Sequence, residues 1–509
     1  MRYDKTGSQV VAVQDAVKTT GSYTSADVSA FGEKSVHENQ PIWQSSFVYP
    51  QDHEQIHRIT EQAGGGVTYA NQMVTCSSGN TAKGLAAVSS LRPLRYQPGQ
   101  GSMARFTALF GTPNAGGVQS AGMSNGETGL LVGYFFNTEF SVWRQYGGER
   151  EVQTLTVTTG SSHAENITIT LESVAVSVAV TNTGSVTDTA WEIAQGDYSG
   201  VSDVGYDAFA EGDTVVFVRR QAAVVSGTFS LSGATSAVGT FAQTVAGVAT
   251  TTSQTLQSNF NVDTIDGSGP SGFNLDTTKG NVFQIDFQYL GFGRIRYFVE
   301  TEEGELILFH VEGYANSNTQ PSLSNPSITW SASAYNFLGG AEYAQSVSVA
   351  SASMYRQGSQ SAFAVHYSAS TERTSLAASR APILSIKPCQ TYAGRLFLGE
   401  AVVRALSVST TTTKPVLLEL VIDGTLGNDA DFQALGGDSV MLVDESATTI
   451  SGGSTELTFT IGKDGSALIP LTEFIGELAM TRFSTVSLVA TPAAANTDID
   501  AGLNWDEFI

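Results

Sequence analysis

Charge is scarce in this 509-residue chain: Asp, Glu, Lys and Arg make up 14% of it, against roughly 25% in an ordinary soluble protein. What charge there is runs one way, with 48 acidic residues against 25 basic and a formal net charge of -23. That balance opposes a general grip on phosphate backbones, which needs clustered Lys and Arg to release counterions, so nucleic acid is not an expected partner. Cysteine is nearly absent. Cys76 and Cys389 lie far apart, which excludes a disulfide framework and a Cys-x-x-Cys metal site; two free, partly buried thiols are expected in preference to one long-range disulfide. Long apolar runs are missing as well. No stretch approaches ~18 consecutive apolar residues, and the opening MRYDKTGSQVVAVQDAV has no core of signal-peptide length. Synthesis in the cytoplasm and no membrane span are the expectations.

In place of charge the chain has 52 glycines and abundant Ser, Thr, Ala and Val, the texture of a β-rich protein with an uncharged polar surface. Its length suggests about three to four domains. The stretch NVFQIDFQYLGFGRIRYFVE, residues 281 to 300, shows the governing pattern. Phe283, Ile285, Phe287 and Tyr289 alternate with Gln284, Asp286 and Gln288, and a period of two sends one set to a core and the other to solvent or a neighbour. Gly291 and Gly293 flank Phe292, where positive φ at no steric cost suits a tight reversal into Arg294 to Val299. A third strand, Leu306 to Val311, follows the polar turn Thr301 to Glu305, giving the centre of an antiparallel meander.

The predicted fold is all-β: β-sandwich or jelly-roll domains with a small α+β insertion and an extended N-terminal arm. Residues 1–100 read as a loop-rich attachment arm whose one helical pattern is PQDHEQIHRITEQAGGG, with Ile56 and Ile59 on one side and a stop at Gly64 to Gly66. Residues 101–152 begin a jelly-roll sandwich, with a strand at Met103 to Phe110 and a hairpin turning at Asn137 and Thr138. Residues 153–258 form an inserted module of short strands, VQTLTV, NITITL, VAVSVAV and DTVVFVRR, with one helix, TDTAWEIAQ, capped by Thr187 or Asp188. The sandwich resumes over 259–375. Residues 376–509 form a second β-sandwich from strands such as PVLLELVIDG, SVMLVDE, ELTFTI and STVSLVATP.

Candidate chemical groups each have a plainer account. His53, Glu54 and His57 match His-Glu-x-x-His, which on a helix sets two imidazoles on one face for zinc with the glutamate as base. Yet Thr60 stands where the extended motif needs glycine, and no His, Asp or Glu follows between Ala63 and Gly126; a solvated helix face is the favoured reading. His310 and His366 read as hydrogen-bonded strand residues. The segment Gly267 to Gly272, GSGPSG, lacks the Gly-x-Ser-x-Gly spacing and reads as a turn. Neither Gly64 to Gly66 nor Pro113 to Gly117 leads into the Lys-Ser or Lys-Thr pair of a phosphate loop. Glu300, Glu302, Glu303 and Glu305 crowd one turn, where carboxylates stay solvated and do not face each other across a cleft as glycoside hydrolysis requires. Asp423, Asn428, Asp429 and Asp431 supply oxygens suited to calcium but miss the EF-hand spacing. Tyr289, Phe292, Trp143 and Trp330 offer a sugar-stacking platform or, more simply, core. No catalytic, metal or cofactor-binding residue is assigned from the sequence.

The segments RYQPGQGSMARFTALFG, YGGEREVQTLTVTT, DGSGPSGFNLDTTKGNVFQIDFQYLGFGRIRYFVE, HVEGYANSNTQPSLSNPS and APILSIKPCQTYAGR resemble, in wording and order, a group of uncharacterised virion proteins of tailed phages and other large DNA viruses. The resemblance runs over roughly residues 92 to 330 and again around 381 to 422. It implies a concanavalin-like jelly roll in a structural component of a virus particle: a fibre, spike, knob or capsid decoration protein. Such a protein would reside in the virion and assemble as a homo-oligomer, a trimer being one form, beside other virion proteins. The fold hosts lectins, hydrolases and inert building blocks, so three alternatives stand beside the structural role. One is a receptor-binding lectin that recognises host-surface glycans; the others are a polysaccharide depolymerase and, through His53 to His57, a metalloprotease.

Overall fold

The computed structural model describes residues 2–3, 9–10, 39–49, 57–202, 204–358, 364–411, 414–427 and 429–508. Strand takes 54% of the structure and helix 4%, so the all-β expectation holds. The strands gather into three groups, each around its own apolar core.

The first group is a sandwich of two antiparallel sheets. One has nine strands, in the order Leu306–Glu312, Ile295–Glu300, Asn281–Phe287, Gly101–Phe110, Ser346–Val349, Met73–Ser77 and Gly66–Ala70, with Ser351–Gln357 bridging Gly101–Phe110 to Asn39–Ser46. The other has seven: Thr251–Leu256, Ser141–Tyr146, Gly129–Phe135, Gly117–Ser124, Trp330–Asn336, Gly84–Ser90 and His57–Gln62. The period of two explains the packing. Phe283 opposes Phe106 and Ile285 opposes Ala104 across the ladder, and these side chains enter a core shared with Met123, Val132, Trp330 and Phe110. Strand ends follow the glycines. Gly291 takes φ +77 in the turn after Phe287, whereas Gly293 serves by close approach, since a Cβ there would meet the Gln288 carbonyl oxygen at 1.5 Å.

Two expectations are corrected here. Residues 57–62 are a strand paired to Gly84–Ser90, not a helix; a sheet edge supplies backbone partners that the weak helical pattern could not outbid. Residues 39–49 and 63–90, also expected to be loop-rich arm, supply four further strands to this sandwich beside it. Of the two places open to the polar set Gln284, Asp286 and Gln288, solvent or a neighbour, the structure selects the neighbour, leaving them 2%, 2% and 3% exposed. Buried polar groups need partners, and the register provides them. Asp286 stands opposite Arg296, which donates Nε at 2.6 Å and Nη2 at 2.9 Å to its two oxygens. Gln284 stands opposite Arg105 and accepts from it at 2.6 Å.

The inserted group holds a four-stranded sheet (Tyr206–Glu211, Thr214–Arg219, Val152–Thr159, Val238–Val245) and a three-stranded one (Val174–Val180, Glu165–Leu171, Ser230–Ser232). The helix Val186–Ala194 packs between strands through buried Ala190 and Ile193, and its cap is Ser185, whose Oγ accepts from the Asp188 amide. The cap thus falls before Thr187, because Ser185 is the residue with extended backbone. Thr251–Leu256 belongs to the seven-stranded sheet, so the sandwich resumes eight residues earlier than a restart at 259 implies.

The C-terminal group is a second sandwich. Its five-stranded sheet runs Val365–Leu376, Thr497–Phe508, Glu400–Thr410 and Ser466–Pro470, with Leu478–Met480 added to Glu400–Thr410. Its six-stranded sheet runs Gln433–Ala434, Met441–Asp444, Ala381–Pro388, Val486–Pro492, Val416–Ile422 and Ser454–Ile461. Leu384, Leu406, Leu418, Leu488 and Trp505 fill the space between them. Val365–Leu376 therefore joins this group and not the first sandwich.

Candidate functional site

The structure disperses most of the side chains singled out in the sequence. His53, Glu54 and Asn428 lie outside the described residues, and His57 opens a strand, so the helix that a His-Glu-x-x-His site needs is not formed through it. His310 is buried beside Phe260, ring centroids 5.5 Å apart, and burial pulls its pKa down to about 4. His366 is exposed on an edge strand, with Nδ1 against Asp506. Glu302, Glu303 and Glu305 are exposed in the turn after Ile295–Glu300, as expected. Asp423 accepts from the Thr485 amide at 2.9 Å, Asp429 from the Thr448 amide at 3.0 Å and Asp431 from Gln433 at 2.6 Å, so each carboxylate ties down a loop. Among the described residues no group of three His, Cys, Asp or Glu is arranged to hold a metal. Trp143 and Trp330 are core, 1% and 0% exposed. Both cysteines are free, and burial pushes each thiol up to about 12.

Charged side chains converge instead where the three groups meet. Arg58 comes from the edge strand His57–Gln62, Asp207 from Tyr206–Glu211, Arg220 from the end of Thr214–Arg219, and Arg482 from the loop that follows Leu478–Met480. Arg58 Nη2 donates to Asp207 Oδ1 at 2.7 Å and Arg220 Nε donates to the same oxygen at 2.9 Å. Arg482 Nη2 lies 3.7 Å from Asp207 Oδ2. Arg150 donates its backbone N–H to Glu127 Oε1 at 3.2 Å and directs Nε to the same oxygen. Phe483 supports two of the cations, its ring centroid 4.3 Å from the Arg58 guanidinium and 4.0 Å from that of Arg482. Arg58, Arg150, Asp207, Arg220, Arg482 and Phe483 line a cavity of about 250 Å³, whose walls also include Ser89, Thr329, Ser331 and Thr481.

Electrostatics there follow from burial and crowding. Burial alone would raise the Asp207 carboxyl; the guanidiniums of Arg58, Arg482 and Arg220 outweigh it and hold the group down at about 2. Burial, reinforced by Arg150, pulls Arg482 well below the usual arginine range, and burial pulls Arg150 down as well. Sequence reading missed this cluster because its members are scattered along the chain; the doublet Arg219–Arg220 at the end of an apolar strand was a local hint.

Two further features adjoin the junction. Arg92 pairs with Glu400 and Glu477, while Arg95 pairs with Glu400 and lies 3.5 Å over the Phe508 ring, tying the first sandwich to the C-terminal one. A cleft of about 400 Å³ is lined by Glu127, Tyr146, Tyr289, Gln320, Asn325 and Arg395. Tyr289 Oη donates to the Leu323 carbonyl at 2.8 Å, and the Arg144 guanidinium lies 3.8 Å from the Tyr146 ring centroid, so both rings are held in place.

No family model matches the chain, and no curated protein matches it. Among solved structures the chain is similar to the carbohydrate recognition domain of Emp47p, with 8% identity and a TM-score of 0.27 over 63% of this chain and 98% of that one. It is similar to the CBM2 module of the Lactobacillus casei BL23 phage J-1 evolved Dit, with 10% identity and a TM-score of 0.25 over 64% and 99% of the two chains. It is also similar to a triple jelly-roll turret protein of an archaeal virus, with 8% identity and a TM-score of 0.18 over 92% and 96%. These are weak likenesses of architecture.

Proposed function

We propose that this chain is a non-enzymatic structural component of a virus particle, a fibre, spike, knob or decoration protein that assembles with copies of itself and attaches through its N-terminal segment. The virion setting is supported by the resemblance of residues 92 to 330 and 381 to 422. Self-assembly is supported by one observation above others: a stiff, exposed aromatic corner. Phe136 and Phe337 meet edge to face at 5.9 Å and are 39% and 50% exposed, with Leu338 beside them at 54%. Single exposed apolar residues are ordinary, but a contiguous apolar group marks a contact surface. The corner is already ordered. Gly339 N–H donates to Asn336 Oδ1 at 2.8 Å and Gly340 N–H to the Asn80 carbonyl at 2.7 Å, at φ values of +78 and +105 that glycine alone adopts readily. Binding through it would cost little further ordering. The twelve-residue edge strand Val365–Leu376 adds unpaired backbone along one side.

Native mass measurement at micromolar concentration tests this: an oligomer is expected, and Phe136→Ser with Phe337→Asp shifts it to monomer without lowering the melting temperature. A wild-type protein that is strictly monomeric would remove the proposal's main support. Locating the chain in an image reconstruction of an intact particle tests the virion setting.

Glycan recognition is the second reading, favoured by the cleft in which Tyr146 and Tyr289 stand fixed beside the amides of Gln320 and Asn325. Selective binding on a glycan array, lost in Tyr146→Ala, is its expected signature.

A further inference from the structure

We propose that the junction cavity is a binding site for a small hydroxylated oxyanion, of which a uronic acid is the simplest sugar form. This goes beyond assembly and does not depend on the tyrosine cleft.

The first ground is charge. Four guanidiniums, of Arg58, Arg150, Arg220 and Arg482, line the cavity, and the carboxylates that pair with them are Asp207 and Glu127. By direct ion pairs the four guanidiniums outnumber these carboxylates by two, with Asp197 adding a weaker negative influence on Arg220, in a chain whose net charge is -23. Desolvated like charges repel strongly at short range, which is why Arg482 is destabilised as a cation by burial and by Arg150. An anion entering the cavity would relieve both effects, and arginine presents a planar fork that suits a carboxylate or phosphate.

The second ground is unmet hydrogen bonding. Thr481 is 8% exposed and lines the cavity, and its hydroxyl has no hydrogen-bond partner among the described residues. Asp207 Oδ2 is buried and likewise accepts no hydrogen bond, its Arg482 neighbour at 3.7 Å being too distant. Buried polar atoms of native proteins are nearly always satisfied. A bare anion would serve the arginines and could accept from Thr481, but it offers nothing to Asp207 Oδ2. A ligand that also carries a hydroxyl supplies that donor, so the cavity asks for both functions within one small molecule.

Access and size agree. Side-chain exposure falls from 29% at Arg58 and 23% at Arg220 to 6% at Arg150 and 4% at Arg482, describing a mouth and a floor. A volume of about 250 Å³ admits one sugar ring.

Calorimetric titration of the full chain at neutral pH and low salt tests the site with four probes: glucuronate, glucose, acetate and inorganic sulfate. Glucuronate is expected to bind, glucose not to bind, and acetate and sulfate, which carry no hydroxyl, to bind about tenfold more weakly, the worth of one hydrogen bond to a charged group. Affinity for glucuronate falls with added salt and drops about tenfold in Arg220→Gln. Thr481→Val leaves every charge in place and weakens glucuronate severalfold, so the site stays testable if Arg220→Gln fails to fold. Absence of glucuronate binding at tens of millimolar, equal binding of glucose, or unchanged affinity in both variants would overturn the site. Acetate or sulfate binding as tightly as glucuronate would overturn the assignment of a hydroxylated ligand.

Discussion

At the scale of single residues, the structure buries charge at positions that the alternation of the sequence left to solvent or a neighbour. Asp286 and Arg296 are 2% and 1% exposed and face each other across adjacent strands. Burial pushes the Asp286 carboxyl up, and Arg296 works against that shift. A buried pair costs much to desolvate, but breaking it leaves an uncompensated charge. Asp286→Asn is therefore expected to destabilise the first sandwich by about 3–5 kcal/mol, read from denaturant unfolding of the variant against wild type. His310 gives a pH dependence. Its folded pKa is about 4 and its unfolded value about 6.5, so between those values the unfolded chain binds more protons than the folded one. Stability contributed by neutral His310 is complete above about 6.5 and is lost as pH falls toward 4. Melting temperatures measured from pH 7 to pH 4.5 should fall less steeply in His310→Phe than in wild type.

At the scale of elements, backbone demand decides more than propensity. The stretch His57–Gln62 carries a residual helical pattern yet lies at the edge of a seven-stranded sheet, where Gly84–Ser90 offers its ladder. Turns between strands are set by glycine for two separate reasons, and the meander after Phe287 holds both. Gly291 needs positive φ, a strain of order 1 kcal/mol for alanine. Gly293 needs an absent Cβ, because the atom in the way is the backbone oxygen of Gln288, which cannot rotate aside. Gly293→Ala is expected to lower the melting temperature more than Gly291→Ala does, and thermal unfolding of the two variants checks the order.

At the scale of the whole molecule, ionic contacts join sandwiches that each have a core of their own. Glu400, 1% exposed, receives both Arg92 and Arg95 from the first sandwich. Glu400→Gln removes the charge that these cations share while keeping the side chain's shape. It is expected to separate the unfolding of the two sandwiches, so that calorimetry shows two transitions where wild type shows a more cooperative one.

The sequence by itself determined the all-β class, the strands from Met103 to Phe110 and from Asn281 to Glu312, the inserted helix and the free state of both cysteines, because period-two alternation, glycine punctuation and residue counts are local signals. Tertiary structure alone decided the rest. It drew residues 39–49 and 57–90 into the first sandwich, buried Trp143 and Trp330 that a sugar platform would have needed, and moved Val365–Leu376 to the C-terminal sheet. It also assembled Arg58, Arg150, Asp207, Arg220 and Arg482 into one cavity. Pairing at a sheet edge and the meeting of three cores bring together residues from opposite ends of the chain, and no pattern within a window of sequence encodes a distance of that kind.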